Sequence, residues 1–185
     1  MPISIDELKA KGRKRAIEVK APGDYDTSRY TIFLAGAIDQ GKAEDWQKTV
    51  SEALSEFEIT ILNPRRDDWD SSWVQSADNA QFAQQVVWEY NAMENSDMIV
   101  FVFTKDSKAP ITFYEFGRFA NEKDTLLCVE EGFYRQGNLD IYAGLDKIPI
   151  YHNLEAMIED LKAVLSEHFG GSEKPKISPN APEAI

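Results

Sequence analysis

A chain of 185 residues has room for one domain with a proper core and not for two comfortable ones. With 43% hydrophobic, 11% aromatic and 28% charged residues it is neither disordered nor fibrous, and a formal charge of −12 argues against nucleic acid polymers as partners, since non-specific affinity for them comes from Lys and Arg displacing counterions. No stretch approaches the roughly 18 apolar residues of a membrane span, the start "MPISIDELKAKG" lacks an export signal's apolar core, and the lone cysteine excludes an intrachain disulfide, so a cytoplasmic protein off the membrane is expected.

The chain opens with a polar stretch, residues 1–29, that holds the basic run "KAKGRKRAIEVK" (9–20) and the turn-rich "APGDYDTSR". It reads as a solvated leader. Five apolar runs follow: "YTIFLAG" (30–36), "EITILN" (58–63), "DMIVFVF" (97–103), "TLLCV" (125–129) and "KIPIY" (147–151). Four are rich in Ile, Val, Phe and Leu without polar alternation, the pattern of strands covered on both faces. Cys128 falls inside the fourth and is expected as a buried, inert thiol. Helical periodicity occupies 43–57, about 80–95, 112–123 and 153–168; residues 170–185, with three prolines, read as a flexible tail. Strands alternating with helices imply βαβ crossovers. The expected fold is α/β: a doubly wound, flavodoxin-like, five-stranded parallel sheet with helices on both faces, built by residues 30–169.

In such a sheet, ligands bind beyond the carboxyl ends of the strands. After the first strand, "AGAIDQGKAEDW" (35–46) offers Gly36, Ala37 and Ile38, small enough at the start for a ligand to approach the backbone, or simply a tight turn. After the second, "NPRRDDWDSSW" (63–73) offers Arg65 and Arg66 as phosphate partners, Asp67 beside them and Trp69 as a stacking face, or a salt-bridged surface turn. Asp67, Asp68 and Asp70 match no calcium-loop spacing and have no His nearby, so no metal is expected. His152 and His168 stand apart from any nucleophile, and no GxGxxG follows a strand; no cofactor is expected.

The loop after the third strand, "TKDSKAPITFYE" (104–115), ends on Glu115, set between Tyr114 and Phe116. Thr112 precedes it by three residues, so "TFYE" also fits a capping box. A carboxylate near the positive end of a helix is expected to stay ionised, as a nucleophile requires. Glu89 lies in the helix that feeds the third strand, between Trp88 and Tyr90 and eight residues before Asp97. That helix runs antiparallel to the strand, which lets Glu89 and Glu115 converge. One ionised carboxylate and one with a raised pKa form the minimal apparatus for cleaving a glycosidic bond by covalent displacement.

The succession "IFLAGAI", "NPRRDDW", "WEYNAMENSDMIVFVF", "ITFYEFGRFA" resembles the nucleoside 2-deoxyribosyltransferase-like family, including its nucleotide N-hydrolase relatives, over roughly residues 30–130. Its most specific element is a helix acid, an Asp opening an apolar strand and an E-x-G-x-A helix start, here "EFGRFA" (115–120). The resemblance implies that Glu115 attacks C1′ of a deoxyribose and that Glu89 protonates or hydrogen-bonds the departing base; the base is then expected near Glu89 and the tryptophans Trp88 and Trp69. Asp97 corresponds to the family's strand-start Asp, although a bond to a nearby backbone amide is its simpler reading. Where the family commonly has an Asp touching the sugar, six residues before the nucleophile, this chain has Ala109. Implied partners are small-molecule nucleosides or nucleotides and free nucleobases. A homo-oligomer is implied as well, because family members complete each pocket from a neighbouring subunit. Transfer of the sugar to another base is the leading expectation. Hydrolysis to free base, or a catalytically silent nucleotide-binding module, stays open beside it.

Overall fold

Every central strand is apolar on both sides, and this decides the architecture. The computed structural model describes residues 15–38 and 45–169. Its elements run β1 (Ile17–Lys20), β2 (Tyr30–Gly36), α1 (Trp46–Ala53), β3 (Ile59–Asn63), α2 (Ala80–Asn95), β4 (Met98–Phe103), α3 (Pro110–Phe119), β5 (Asp124–Val129), α4 (Gln136–Asp146), β6 (Ile150–Tyr151) and α5 (Leu154–Phe169). In β2, Phe33 and Ala35 join one apolar cluster and Ile32 and Leu34 the other; β4 divides Ile99, Phe101 and Phe103 from Met98, Val100 and Val102 in the same way. Side chains that alternate in direction but not in polarity leave neither face for water. Helices α2, α3 and α4 cover one face through Trp88, Met93, Phe116, Phe119 and Leu139. Helices α1 and α5 cover the other through Trp46, Val50, Met157 and Leu161. Cys128 is buried on that second face as a free thiol, its pKa pushed up to about 12 by burial.

The strands are all parallel, in the order β1-β3-β2-β4-β5-β6. The chain steps from β2 to β3 in one direction and then crosses over β2 to β4 in the other. Strand order therefore reverses between β2 and β4, and in sheets of this kind ligands bind beyond the carboxyl ends at that point. Apart from β1 the order is the flavodoxin-like one expected.

The sheet has six strands rather than five, and the addition comes from the stretch expected to be a leader. Ile17 to Lys20 pair in register with Thr60 to Asn63. The strand is anchored by side chains too: Glu18 Oε1 accepts from Ser51 Oγ at 2.9 Å and from Asn63 Nδ2 at 2.8 Å. The expected leader beyond it (1–14), the tail (170–185) and residues 39–44 lie outside the described residues. Helix α4 was not expected either. Its sequence, "QGNLDIYAGLD", carries two glycines and leaves Ile141, Tyr142 and Leu145 exposed, so no apolar stripe marks it.

Candidate active site

Helix α3 brings Glu115 to the rim. Pro110 occupies its first turn, where a missing N–H costs nothing, and Ala109 before it is left-handed, at φ 45° and ψ 48°. That turn starts the helix two residues before Thr112. Thr112 is then an interior, buried residue and no side chain caps α3, so the capping-box alternative is not realised. Glu115 stands in the second turn and is half-buried.

Glu89 reaches the same place from α2, whose start is fixed by Asn79 accepting from the Phe82 amide at 2.9 Å. Gln85, one turn earlier, donates through Nε2 to Glu89 Oε1 at 2.8 Å and to the Pro64 carbonyl at 2.7 Å. Burial pushes Glu89 up to about 7, against the pull of the Gln85 bond. Burial, and then the charge of Glu89, push Glu115 up to about 8. Here the expectation needs correcting. Both carboxyls are raised, and Glu115 is not held ionised by its helix end, because it sits a full turn past the unpaired amides and beside a second acid. The charge of Glu89 is nonetheless felt at Glu115, which puts the two carboxyls near one another.

The loop after β3 is built on paired charges. Asn63 turns the chain, its Oδ1 accepting from the Arg65 amide at 2.9 Å. Arg65 Nε lies 3.6 Å from Asp45, Lys20 Nζ donates to Asp67 at 2.6 Å, and Arg66 donates through Nε and Nη2 to Asp68 at 2.7 and 3.1 Å. Arg66 also lies over the ring of Trp73, 4.9 Å from its centroid, and Trp73 meets Trp69 edge to face at 5.2 Å. The salt-bridged turn and the aromatic platform are thus both present. The exposed Asp67 is occupied by Lys20.

Three expected binding residues have other duties. Trp88 is 8% exposed, donates through Nε1 to the Gly23 carbonyl at 2.8 Å and packs on Tyr25 and Phe33, so it wedges α2 against the sheet rather than facing a ligand. Asp97 precedes β4 and therefore stands at the amino edge, the far end of the strand from the glutamates. It accepts from the Thr31 amide at 3.0 Å while its own amide donates to the Thr31 carbonyl at 2.9 Å. Gly36 makes room for protein: an added Cβ would lie 2.5 Å from the Val102 carbonyl and 2.6 Å from Trp46. The indole of Trp46 is held there by its bond to the Ala37 carbonyl, at 3.2 Å. Ile38, half-buried, ends the described part of that loop.

The pattern of two acids over a switch point has a counterpart. Residues 29–133, more than half of the chain, match the family model described as "Nucleoside 2-deoxyribosyltransferase like". The chain belongs to that family. The matched span takes in β2 through β5 and carries Glu89, Glu115 and the whole β3 loop. Membership in the nucleoside 2-deoxyribosyltransferase-like family implies small-molecule nucleoside substrates and glycosyl-transfer or N-glycosidase chemistry. No curated protein matches the chain. Among the described residues, no cluster of three or more His, Cys, Asp or Glu could hold a metal ion, and no helix is long and apolar enough to cross a membrane.

Sequence reasoning passed over Gln85, Glu18 and Asn63. Only Gln85 carried a signal, its i,i+4 spacing from Glu89 on a helix.

Proposed function

We propose that the chain is a nucleoside 2-deoxyribosyltransferase of the cytoplasm, acting through Glu115 and Glu89. The observation that carries this is the electrostatic coupling of two half-buried carboxyls from different helices at the carboxyl edge of the sheet. Glu115, ionised, attacks C1′; the C1′–N bond breaks with its electron pair going to the base, and the proton on Glu89 passes to that base. A glycosyl ester of Glu115 results. A second nucleobase then displaces the ester to give transfer. Water in its place gives hydrolysis with the same two residues. In the productive state Glu89 carries a proton and Glu115 carries none, an arrangement favoured by a substrate whose base accepts a hydrogen bond from Glu89.

A 2′-deoxy-2′-fluoro nucleoside, whose fluorine slows breakdown of the ester, tests the covalent route. Intact mass measurement is expected to show one sugar adduct on the protein and none on Glu115→Ala. An unlabelled wild type that still releases base would sink the covalent step; an absence of any free base from a panel of nucleosides and nucleotides would leave a silent binding module.

A second copy of the chain is proposed as the occupant of the outer face of α2, α3 and α4. Val87, Ile111, Tyr114, Ile141, Tyr142 and Leu145 are all 57–72% exposed there, whereas none of the described large apolar side chains of α1 or α5 is exposed. One-sided apolar exposure of this extent marks a surface that is covered in use. The same two helices, α2 and α3, carry the glutamates, so a partner on this face would adjoin the site. Light scattering is expected to give at least twice the 21.0 kDa of one chain, and the double variant Ile141→Glu, Leu145→Glu to return it to one. A wild type that runs as a single chain at micromolar concentration removes the assembly.

A further inference from the structure

The carboxyl of Glu89 is held at one oxygen, and the residue that holds it has no good packing reason to be polar. Gln85 uses both N–H groups of its amide, one on Glu89 Oε1 and one on the Pro64 carbonyl. Two acceptors facing one atom fix that atom as nitrogen. The other end, Gln85 Oε1, is buried without a hydrogen-bond partner, and the residue as a whole is 4% exposed. An orphaned buried acceptor costs about 1–3 kcal/mol, so an apolar side chain of the same length would serve packing alone better. The amide is retained for what its nitrogen does.

We propose that Gln85 is a positioning residue: it ties Glu89 Oε1 to the turn after β3 and so leaves Oε2 as the oxygen that carries the proton to the departing base. This rests on the reading of Glu89 as the acid of an N-glycoside-cleaving pair. An amide N–H is accepted well by a carboxylate or by the carbonyl oxygen of a carboxylic acid, and poorly by its hydroxyl. With Oε1 so engaged, the proton of Glu89 sits on Oε2. As the C1′–N bond breaks, its electron pair settles on the base nitrogen, the Oε2 proton moves to that nitrogen, and Glu89 becomes a carboxylate. The Gln85 bond strengthens at that moment, since hydrogen bonds to a charged acceptor are stronger than to a neutral one. An interaction that grows during bond cleavage acts on the rate and not on binding. The titratable group that couples to Glu89 from a neighbouring helix is Glu115 on α3, and the β3 turn is tied to the same amide through the Pro64 carbonyl.

The test uses Gln85→Met, close in volume and free of the orphaned acceptor, on 2′-deoxyguanosine and 7-methyl-2′-deoxyguanosine. The methylated base departs neutral and needs no proton. The variant is expected to lose about 10- to 100-fold in kcat on 2′-deoxyguanosine, part of the usual worth of a general acid, with KM and the rate on the methylated substrate within about threefold of wild type. Gln85→Asn, whose amide is withdrawn by one methylene, is expected to show the same selective loss. Equal losses on both substrates, or none on 2′-deoxyguanosine, overturn the proposal. Independently of turnover, carboxyl-carbon NMR of Glu89 is expected to show its titration moved to higher pH in Gln85→Met, because a bond favouring the ionised form is gone; an unmoved titration overturns the role. A wild type that leaves both nucleosides intact and releases no base from a panel of other nucleosides and nucleotides sinks the N-glycoside reading instead, and the NMR comparison still decides on Gln85.

Discussion

Glu115→Gln is expected to stop base release by a factor of about a thousand or more and, at mildly alkaline pH, to make the protein harder to unfold. The first effect is the loss of a nucleophile: an amide of the same shape cannot attack C1′, and a thousandfold corresponds to about 4 kcal/mol of barrier. The second follows from linkage. Folded, Glu115 keeps its proton up to about pH 8; unfolded, it releases it near the ordinary carboxylate value of about 4.3. A raised carboxyl contributes its stability fully below the unfolded pKa and loses it as pH rises towards the folded one. Above pH 8 the native state holds an anion in a confined place beside Glu89, a burden the amide lacks. Allowing for solvent screening of a half-buried group, the gain is about 1–2 kcal/mol at pH 8, or roughly 2–8 °C in Tm, and vanishes near pH 4. Melting curves of both proteins at the two pH values check it. A mutant with near-normal turnover removes Glu115 from the chemistry, and a gain that is the same at both pH values removes the burial account.

This conflict between stability and use also explains why the site was only partly readable. The positions of Glu89 and Glu115 relative to strands were legible, because a helix that feeds a parallel strand must run back along it. Their protonation was not. It depends on how much protein closes around each carboxyl, and no spacing in "TFYEFG" encodes that. The capping-box pattern gave way to backbone chemistry, with Ala109 in a left-handed turn and Pro110 opening the helix ahead of Thr112. For Asp97 the simpler reading, a bond to a nearby backbone amide, is the one the fold realises, and a residue just before a parallel strand lies at its amino end, opposite a site at the carboxyl end.

The strands divide along the same line. Those buried on both faces showed themselves as unbroken apolar runs, and β2, β3, β4 and β5 each stand within a residue of where the runs begin and end. The edges did not. In β1 the sequence "IEVK" puts Glu18 and Lys20 among two apolar residues, and as an edge strand it is paired on one side only, so nothing separates it locally from the basic stretch before it. Its place depends on contacts remote in sequence, Glu18 with Ser51 and Asn63. At the other edge β6 is reduced to Ile150 and Tyr151. Trp88 and Gly36 make the related point for side chains: their types suited a ligand, and the fold spends them on packing.

Gly36→Ala is expected to destabilise the protein strongly for a single added methyl. Gly36 ends β2 opposite Val102 of β4, at the point where strand order reverses. The new Cβ would meet the Val102 carbonyl at 2.5 Å and the Trp46 ring at 2.6 Å. Neither neighbour can yield cheaply. The carbonyl is backbone in the middle of the sheet, and Trp46 is 2% exposed and bonded to the Ala37 carbonyl. Relief requires either parting β2 from β4 or expelling an indole from the core, and the cost is about 3 kcal/mol, at the upper end for overpacking, or a fall of about 6–12 °C in Tm. Gly117→Ala is the matched control, because nothing lies within 4 Å of the Cβ it would add, and in mid-helix alanine is favoured over glycine by up to about 1 kcal/mol. Thermal unfolding of the two variants side by side decides the matter: a Gly36→Ala protein as stable as wild type would mean that Trp46 does not press on the end of β2.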